Sequence, residues 1–240
     1  VVWYQGESNT GPGEGASLRL RPGSGAVQTL FTVAPGNALE LVDLTLLPPQ
    51  DDAALTTYRY AGDSAGDLTL RNCRLDGEGR GMNAIRSTGG TLWIECSTLC
   101  SNVSRAANVP LVETRQSGHL LSTTLANNFE TAGDLPLLSV PTGMFDVVSS
   151  TFAEGPTVAI RAGAGSDAML LNSIVAGVVT GIVASAQAYN AVTTKVESVL
   201  DPQGVVSRVR GVAHLSRRPA RTGPAYRNGR FVYHSANWLA

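Results

Sequence analysis

Charge is scarce in this chain of 240 residues: Asp, Glu, Lys and Arg together make up only 15%, and Lys195 is its one lysine. So sparse a complement argues against long solvated helices. The formal net charge of −1 gives no whole-molecule field to draw in nucleic acid or an acidic membrane, so no nucleic-acid partner is expected. No run approaches about 18 consecutive apolar residues, and no membrane span is expected either. Cys73, Cys96 and Cys100 are too few for a disulfide framework and odd in number, which leaves at least one thiol unpaired within the chain. Cys96 and Cys100 lack a His or further Cys at zinc-like spacing, and His119, His214 and His234 are scattered, so no metal site is expected. Acidic residues are missing altogether from Pro202 to Ala240, where Arg208, Arg210, Arg217, Arg218, Arg221, Arg227 and Arg230 stand. That basic end reads as a solvated cap or tail, with Arg217, Arg218 and Arg221 as candidates for an anion or polysaccharide contact. The chain opens Val1-Val2-Trp3-Tyr4, without a starting Met or a basic, apolar leader, as expected of a processed or trimmed product.

What the chain has instead is 43% hydrophobic residues, 26 glycines and a repeat. A window with apolar first, third and eighth positions and a small or polar fifth recurs along it. Leu39, Leu41, Asp43 and Leu46 fit, as do Leu68, Leu70, Asn72 and Leu75, and Leu92, Ile94, Cys96 and Leu99. Gly118, Leu120, Ser122 and Leu125 follow with one lapse, then Phe145, Val147, Ser149 and Phe152, and Ala168, Leu170, Asn172 and Val175. The windows start 29, 24, 26, 27 and 23 residues apart, the period of one β-helix coil with loops of varying length. In a strand the first and third positions face one side together, so both enter the core. The short polar fifth residue turns the chain, Asn being tolerant of left-handed backbone, and the eighth re-enters the core on a new face.

A third apolar strand recurs between windows at Ala84-Ile85, Leu111-Val112, Leu137-Leu138, Val158-Ala159-Ile160 and Ile182-Val183. Gly89-Gly90, Gly118, Gly143, Gly163 and Gly165 follow these strands and are expected to close the coils. The fold expected is therefore all-β: a right-handed, single-stranded parallel β-helix with three short strands per coil and six to eight coils, neighbours stacking at about 4.8 Å. Residues 1–38 form an irregular first coil or cap, 39–200 the coils and 201–240 the Arg-rich cap or tail. A β-sandwich of antiparallel hairpins is the alternative, but it does not require one polar bend residue at a fixed offset.

Leu68-Thr69-Leu70-Arg71-Asn72-Cys73, Leu171-Asn172-Ser173-Ile174-Val175-Ala176-Gly177 and Tyr189-Asn190 leading to Asp201-Pro202 occur here in order. Together they resemble bacterial surface proteins of the pectate-lyase-like β-helix superfamily, of the type that carries a choice-of-anchor domain. The resemblance implies an exported, cell-surface protein, generally without assigned activity.

β-Helix enzymes that cut polysaccharides need paired carboxylates, or Arg and Lys beside a calcium-binding carboxylate cluster. Gln50-Asp51-Asp52 resembles the double-Asp motif of polygalacturonase-like glycosidases and Ser117-Gly118-His119 their Gly-His turn, yet 67 residues separate Asp52 from His119, more than two coils. Arg217-Arg218-Pro219-Ala220-Arg221 resembles a pectate lyase motif until the spacing fails at Thr222. Asp76 and Glu78, near Glu95 of the next window, are the remaining catalytic candidates for one lateral groove. For binding, Tyr58 and Tyr60 share a strand face, and Trp93, between inward Leu92 and Ile94, should point outward as a stacking platform. Asn102-Val103-Ser104 fits a glycosylation acceptor, relevant only in a eukaryotic secretory host.

The function expected is a non-enzymatic extracellular scaffold or adhesion module, secreted or on a bacterial surface, that binds a glycan or protein partner through lateral faces or assembles with itself. It needs no cofactor. The alternatives are a polysaccharide lyase or glycoside hydrolase acting on acidic glycans, with Ca2+ only in that case, and a trimeric phage tail-spike fragment.

Overall fold

A computed structural model describes residues 2–5, 16–20, 27–50, 57–80, 83–104, 109–130, 136–153 and 158–176, and further short strands at Thr180–Ala184, Tyr189–Val192, Lys195–Val196, Val199–Leu200, Tyr226–Arg227 and Arg230–Phe231. The chain winds into a parallel β-solenoid with three walls, and no helix occurs among the described residues. Every strand pair in the walls is parallel; the antiparallel pair Tyr226–Arg227 with Arg230–Phe231 lies outside them. About five turns, between residues 38 and 171, have all three walls described in side-chain detail.

The first window positions stack as Leu39, Leu68, Leu92, Gly118, Phe145 and Ala168, and the third as Leu41, Leu70, Ile94, Leu120, Val147 and Leu170. These columns belong to wall one. The eighth positions stack on wall two from Leu46 to Val175. On wall three Ile85, Val112, Leu138, Ile160 and Ile182 stand in one column, as the third-strand motif predicts. One continuous apolar core fills the prism. The strands described before residue 38 stack on the next turn in parallel register: Val2 pairs Leu39, Leu18 pairs Leu46 and Val27 pairs Thr57.

The bend between walls one and two is set residue by residue. Asp43, Asn72, Cys96, Ser122, Ser149 and Asn172 all have left-handed backbone, with φ between 47° and 58°. A second stacked bend follows wall two at Glu78, Ser101 and Asn127, φ 50°, 55° and 54°. At the third corner Gly143 has φ 88°, and a Cβ there would fall 2.0 Å from the Gln116 carbonyl oxygen, so the close stacking of corners demands glycine.

Gly118 is not a corner glycine. It lies within the strand Ser117–Leu121, and a Cβ on it would come 2.1 Å from Cε2 of Phe145, the residue stacked on it from the next turn. The lapse in the repeat is thus a volume exchange, a missing side chain in one turn making room for a ring in the next. A second difference concerns the polar column. The sixth positions of the last five windows, Cys73, Ser97, Thr123, Ser150 and Ser173, are all buried, as is Leu44 of the first. There Ser150 Oγ donates to the Val148 carbonyl at 2.9 Å and accepts the Thr123 backbone N–H at 3.1 Å; Ser173 Oγ serves Leu171 and Ser150 likewise at 2.9 and 3.2 Å. Cys73 occupies the same column, its thiol facing the carbonyls of Leu41 and Arg71. At the second bend Asn102 and Asn128 form a buried ladder, with Asn102 Nδ2 donating to Asn128 Oδ1 at 2.9 Å. Asn102 is therefore a structural amide inside the solenoid, its Nδ2 donating to the oxygens of Leu75, Cys100 and Asn128, bonds that a glycan on that nitrogen would break.

Candidate functional site

Outward positions obey the same stacking as inward ones, so wall one presents columns of side chains about 4.8 Å apart. The column between the first and third window positions runs Glu40, Thr69, Trp93, His119, Asp146 and Met169. Trp93 points outward between buried Leu92 and Ile94, as expected. Its ring meets the imidazole of His119 at 4.4 Å between centroids and 39° between planes. His119 in turn places Nδ1 3.2 Å from Oδ2 of Asp146 on the following turn. The indole Nε1 is shielded from solvent and has no hydrogen-bond partner.

The next outward column runs Val42, Arg71, Glu95, Leu121, Val148 and Leu171. Arg71 bridges two turns, its guanidinium 2.9 Å from Glu40 and 3.1 Å from Glu95. Wall one therefore joins a half-buried indole, an imidazole–carboxylate pair and an Arg between two carboxylates, followed by a half-buried aliphatic stripe. Aromatic faces stack on apolar faces, while carboxylates and a guanidinium take hydroxyl groups.

The other candidates are distributed differently. Tyr58 and Tyr60 do share a strand face, but that face is the interior: they are 1% and 0% exposed, which removes them from any surface patch. Their strand lies between windows, where no fixed offset tells inside from outside. The hydroxyl of Tyr60 donates to the Asp76 carbonyl at 2.8 Å, and burial, then the nearby Asp76, pushes its pKa well up.

Asp76 and Glu78 sit on wall two, Glu95 on wall one, and each carboxylate is paired with an arginine, Glu95 sharing Arg71 with Glu40. Asp76 is 2.6 Å from Arg74, and Glu78 makes a fork with Arg19 at 2.9 Å for both oxygens. Arg19 holds the Glu78 carboxyl below its ordinary range, which suits a fixed anion and not a proton donor. Burial, then Asp76, pushes the thiol of Cys100 up, away from a reactive thiolate. His119 is in the middle of a strand, so Ser117-Gly118-His119 is not a turn. Asp51, Asp52, Arg217, Arg218 and Arg221 lie outside the described residues.

On wall three Asp63 joins Arg59 at 3.5 Å and Arg86 at 2.8 Å, and Glu113 joins Arg115 at 2.7 Å. Arg59 is only 6% exposed, and burial lowers its pKa. A shallow recess of about 300 Å³ at the third corner is lined by Gly36, Asn37, Ala38, Ala65, Gly66, Asp67 and Gly90. It is mostly backbone, and its carboxylate, Asp67, already accepts the Thr91 N–H at 2.7 Å.

Among the described residues no three His, Cys, Asp or Glu side chains come together as a metal site, and no helix is long and apolar enough to cross a membrane. The pairs His119–Asp146 and Arg71–Glu95 escape a linear reading of the sequence, yet each joins the same outward position of successive windows. Aligning those positions is the signal that finds them. No family model, curated protein or solved structure matches the chain.

Proposed function

We propose that this chain is a non-enzymatic extracellular scaffold or adhesion module, secreted or displayed on a bacterial surface in the manner of pectate-lyase-like β-helix proteins, which holds a glycan against wall one. The observation that carries this is Trp93, set outward in mid-wall between the His119–Asp146 pair and the Glu40–Arg71–Glu95 bridge. A sugar ring laid on the indole would find carboxylate and guanidinium groups at its edge, the pairing of apolar face and polar rim that pyranoses offer. The arginine held by each of Asp76, Glu78 and Glu95 favours binding over acid–base chemistry.

The test is a glycan array probed with the full chain and with Trp93→Ala, followed by calorimetry on any hit. Binding lost by at least tenfold in the variant, with unchanged thermal stability, supports the assignment; hits that survive the substitution remove Trp93 from it. Release of products from polyuronates, with or without Ca2+, would replace it by the lyase or hydrolase alternative.

A further inference from the structure

The charge on wall one is uneven in sign. Among the described residues its outward columns carry Glu40, Asp67, Glu95, Asp146 and Asp167, against one guanidinium, Arg71, and one imidazole, His119. Four of those carboxylates surround Trp93. Glu95 is the next outward residue on the same strand, and Asp67 stands one turn earlier in the outward column on the other side. Glu40 and Asp146 share the column of Trp93, two turns before it and two turns after it. With a rung of about 4.8 Å and about 6.8 Å between columns, all four backbone positions lie within about 10 Å of Trp93.

The cations of this face are already committed. Arg71 lies between Glu40 and Glu95, and His119 faces Asp146. One guanidinium between two carboxylates leaves that group negative, and even with His119 counted as a cation the surroundings of Trp93 stay negative. The flanking corners do not reverse this: at the third corner Arg115 is neutralised by Glu113 at 2.7 Å, and the bend towards wall two adds Asp43 and no basic residue.

Charge of this sign selects among sugars. A uronate carboxylate beside Trp93 meets like charges, which disfavour it, while a neutral sugar gains only the hydrogen bonds of its hydroxyls. A protonated amine is attracted by the carboxylates, which accept its N–H groups, and by the indole ring. We infer that the glycan held on wall one is built of amino sugars with free, protonated amines, its ring faces on Trp93 and its ammonium groups towards Glu95 and the neighbouring carboxylates. The inference rests on the glycan reading of wall one and names the class of sugar.

The experiment is calorimetry of the full chain with three oligosaccharides of equal length: glucosamine oligomers, their N-acetylated counterparts, which keep the backbone and lose the charge, and oligogalacturonates. At about pH 6, below the ordinary range of an amine, and about 50 mM salt, the glucosamine oligomer should bind at least tenfold more tightly than the acetylated one, and the uronate least. The gap should narrow several-fold at about 500 mM salt, where the screening length falls to on the order of 4 Å. Trp93→Ala should abolish binding, and Glu40→Gln/Glu95→Gln, which leaves Arg71 unopposed, should remove the preference for the amine. If that double variant does not fold by circular dichroism, Asp67→Asn, which keeps the oxygen that accepts the Thr91 N–H, should weaken the preference several-fold. Acetylated or uronate oligomers bound as tightly as glucosamine, and lost with Trp93→Ala, would overturn the inference and leave the glycan reading standing. A glucosamine preference that survives these substitutions in folded protein would overturn it by placing the ammonium elsewhere. Binding of none of the three would also overturn it, and the glycan array then decides the wider reading.

Discussion

Adding one methyl group at Gly118 should destabilise the solenoid far more than an ordinary Gly→Ala change in a strand, which tends to be favourable or neutral. The Cβ would lie 2.1 Å from Cε2 and 2.4 Å from Cδ2 of Phe145, whereas carbon atoms rest at about 3.5–4.0 Å. Phe145 is fully buried, so its ring cannot swing aside without disturbing neighbours in the column, and overpacking of this kind costs about 1–3 kcal/mol. Phe145→Ala alone should cost about 3–5 kcal/mol through lost burial and a cavity. The double variant Gly118→Ala/Phe145→Ala should cost no more than Phe145→Ala alone, because the new methyl enters the space the ring vacated. The coupling energy is then about 1–3 kcal/mol in the favourable direction. Urea unfolding followed by circular dichroism measures all four proteins, and in a chain of this length each kcal/mol also moves Tm by about 2–4 °C. Costs that add to within about 0.5 kcal/mol would mean that the two residues do not touch, and the register of wall one would be wrong.

Three further outcomes are expected. Ser150→Ala strands the buried N–H of Thr123 and should lower stability by about 1–3 kcal/mol, while Ser150→Cys, which copies Cys73 in the same column, should cost less; urea melts distinguish them. Cys96→Asn should stabilise and Cys96→Val destabilise, each by about 1 kcal/mol, because φ is 47° there and a β-branched side chain tolerates that backbone poorly; equal melting temperatures for the two would contradict the bend geometry. Since Arg19 depresses the Glu78 pKa in the folded chain, the stabilisation it provides is fully present above the ordinary carboxylate value of about 4.3 and is lost as pH falls through the lower folded value. The stability difference between wild type and Glu78→Gln should therefore be below about 1 kcal/mol at neutral pH, as for other exposed pairs, and shrink in acid; a difference that grew in acid would reverse the assigned sign.

The core was legible in the sequence because burial tolerates little but apolar side chains at the first, third and eighth positions, and because the left-handed bend accepts few residue types. Leu70, Ile94, Leu120 and Val147 stack as their spacing predicts, and Asn72 and Ser149 turn the chain where expected. What was not legible follows from side chains that satisfy themselves indoors. The repeat window assigns nothing to Ser97, Thr123 and Ser150, polar residues that lie inside the solenoid because each hydroxyl returns a hydrogen bond to a carbonyl two residues back. Loops of varying length blur the phase of wall three, so Tyr58 and Tyr60 could be paired on one face but not assigned to the inside. The strands Pro136–Val148 and Val158–Leu171 run round the third corner without a break, so the corner that Gly143 turns lies inside a continuous strand and not in a separate turn. In the candidate site, Trp93 was placed by alternation alone; its partners His119 and Asp146, 26 and 53 residues away, become neighbours only once the turns are stacked.

The column geometry itself can be measured on wall two, where Thr45, Arg74, Thr98, Thr124 and Thr151 face outward in successive turns. In a background with Cys73, Cys96 and Cys100 replaced by Ser, spin labels at position 45 and, in turn, at 98, 124 and 151 report by dipolar line broadening inter-label separations that follow the Cα spacing. Stacking requires about 10, 14 and 19 Å, one rung of about 4.8 Å for each added turn despite more than twenty residues of intervening chain. Separations that fail to grow by one rung per turn, as in hairpin-paired sheets, would contradict the solenoid and the wall-one site built on it.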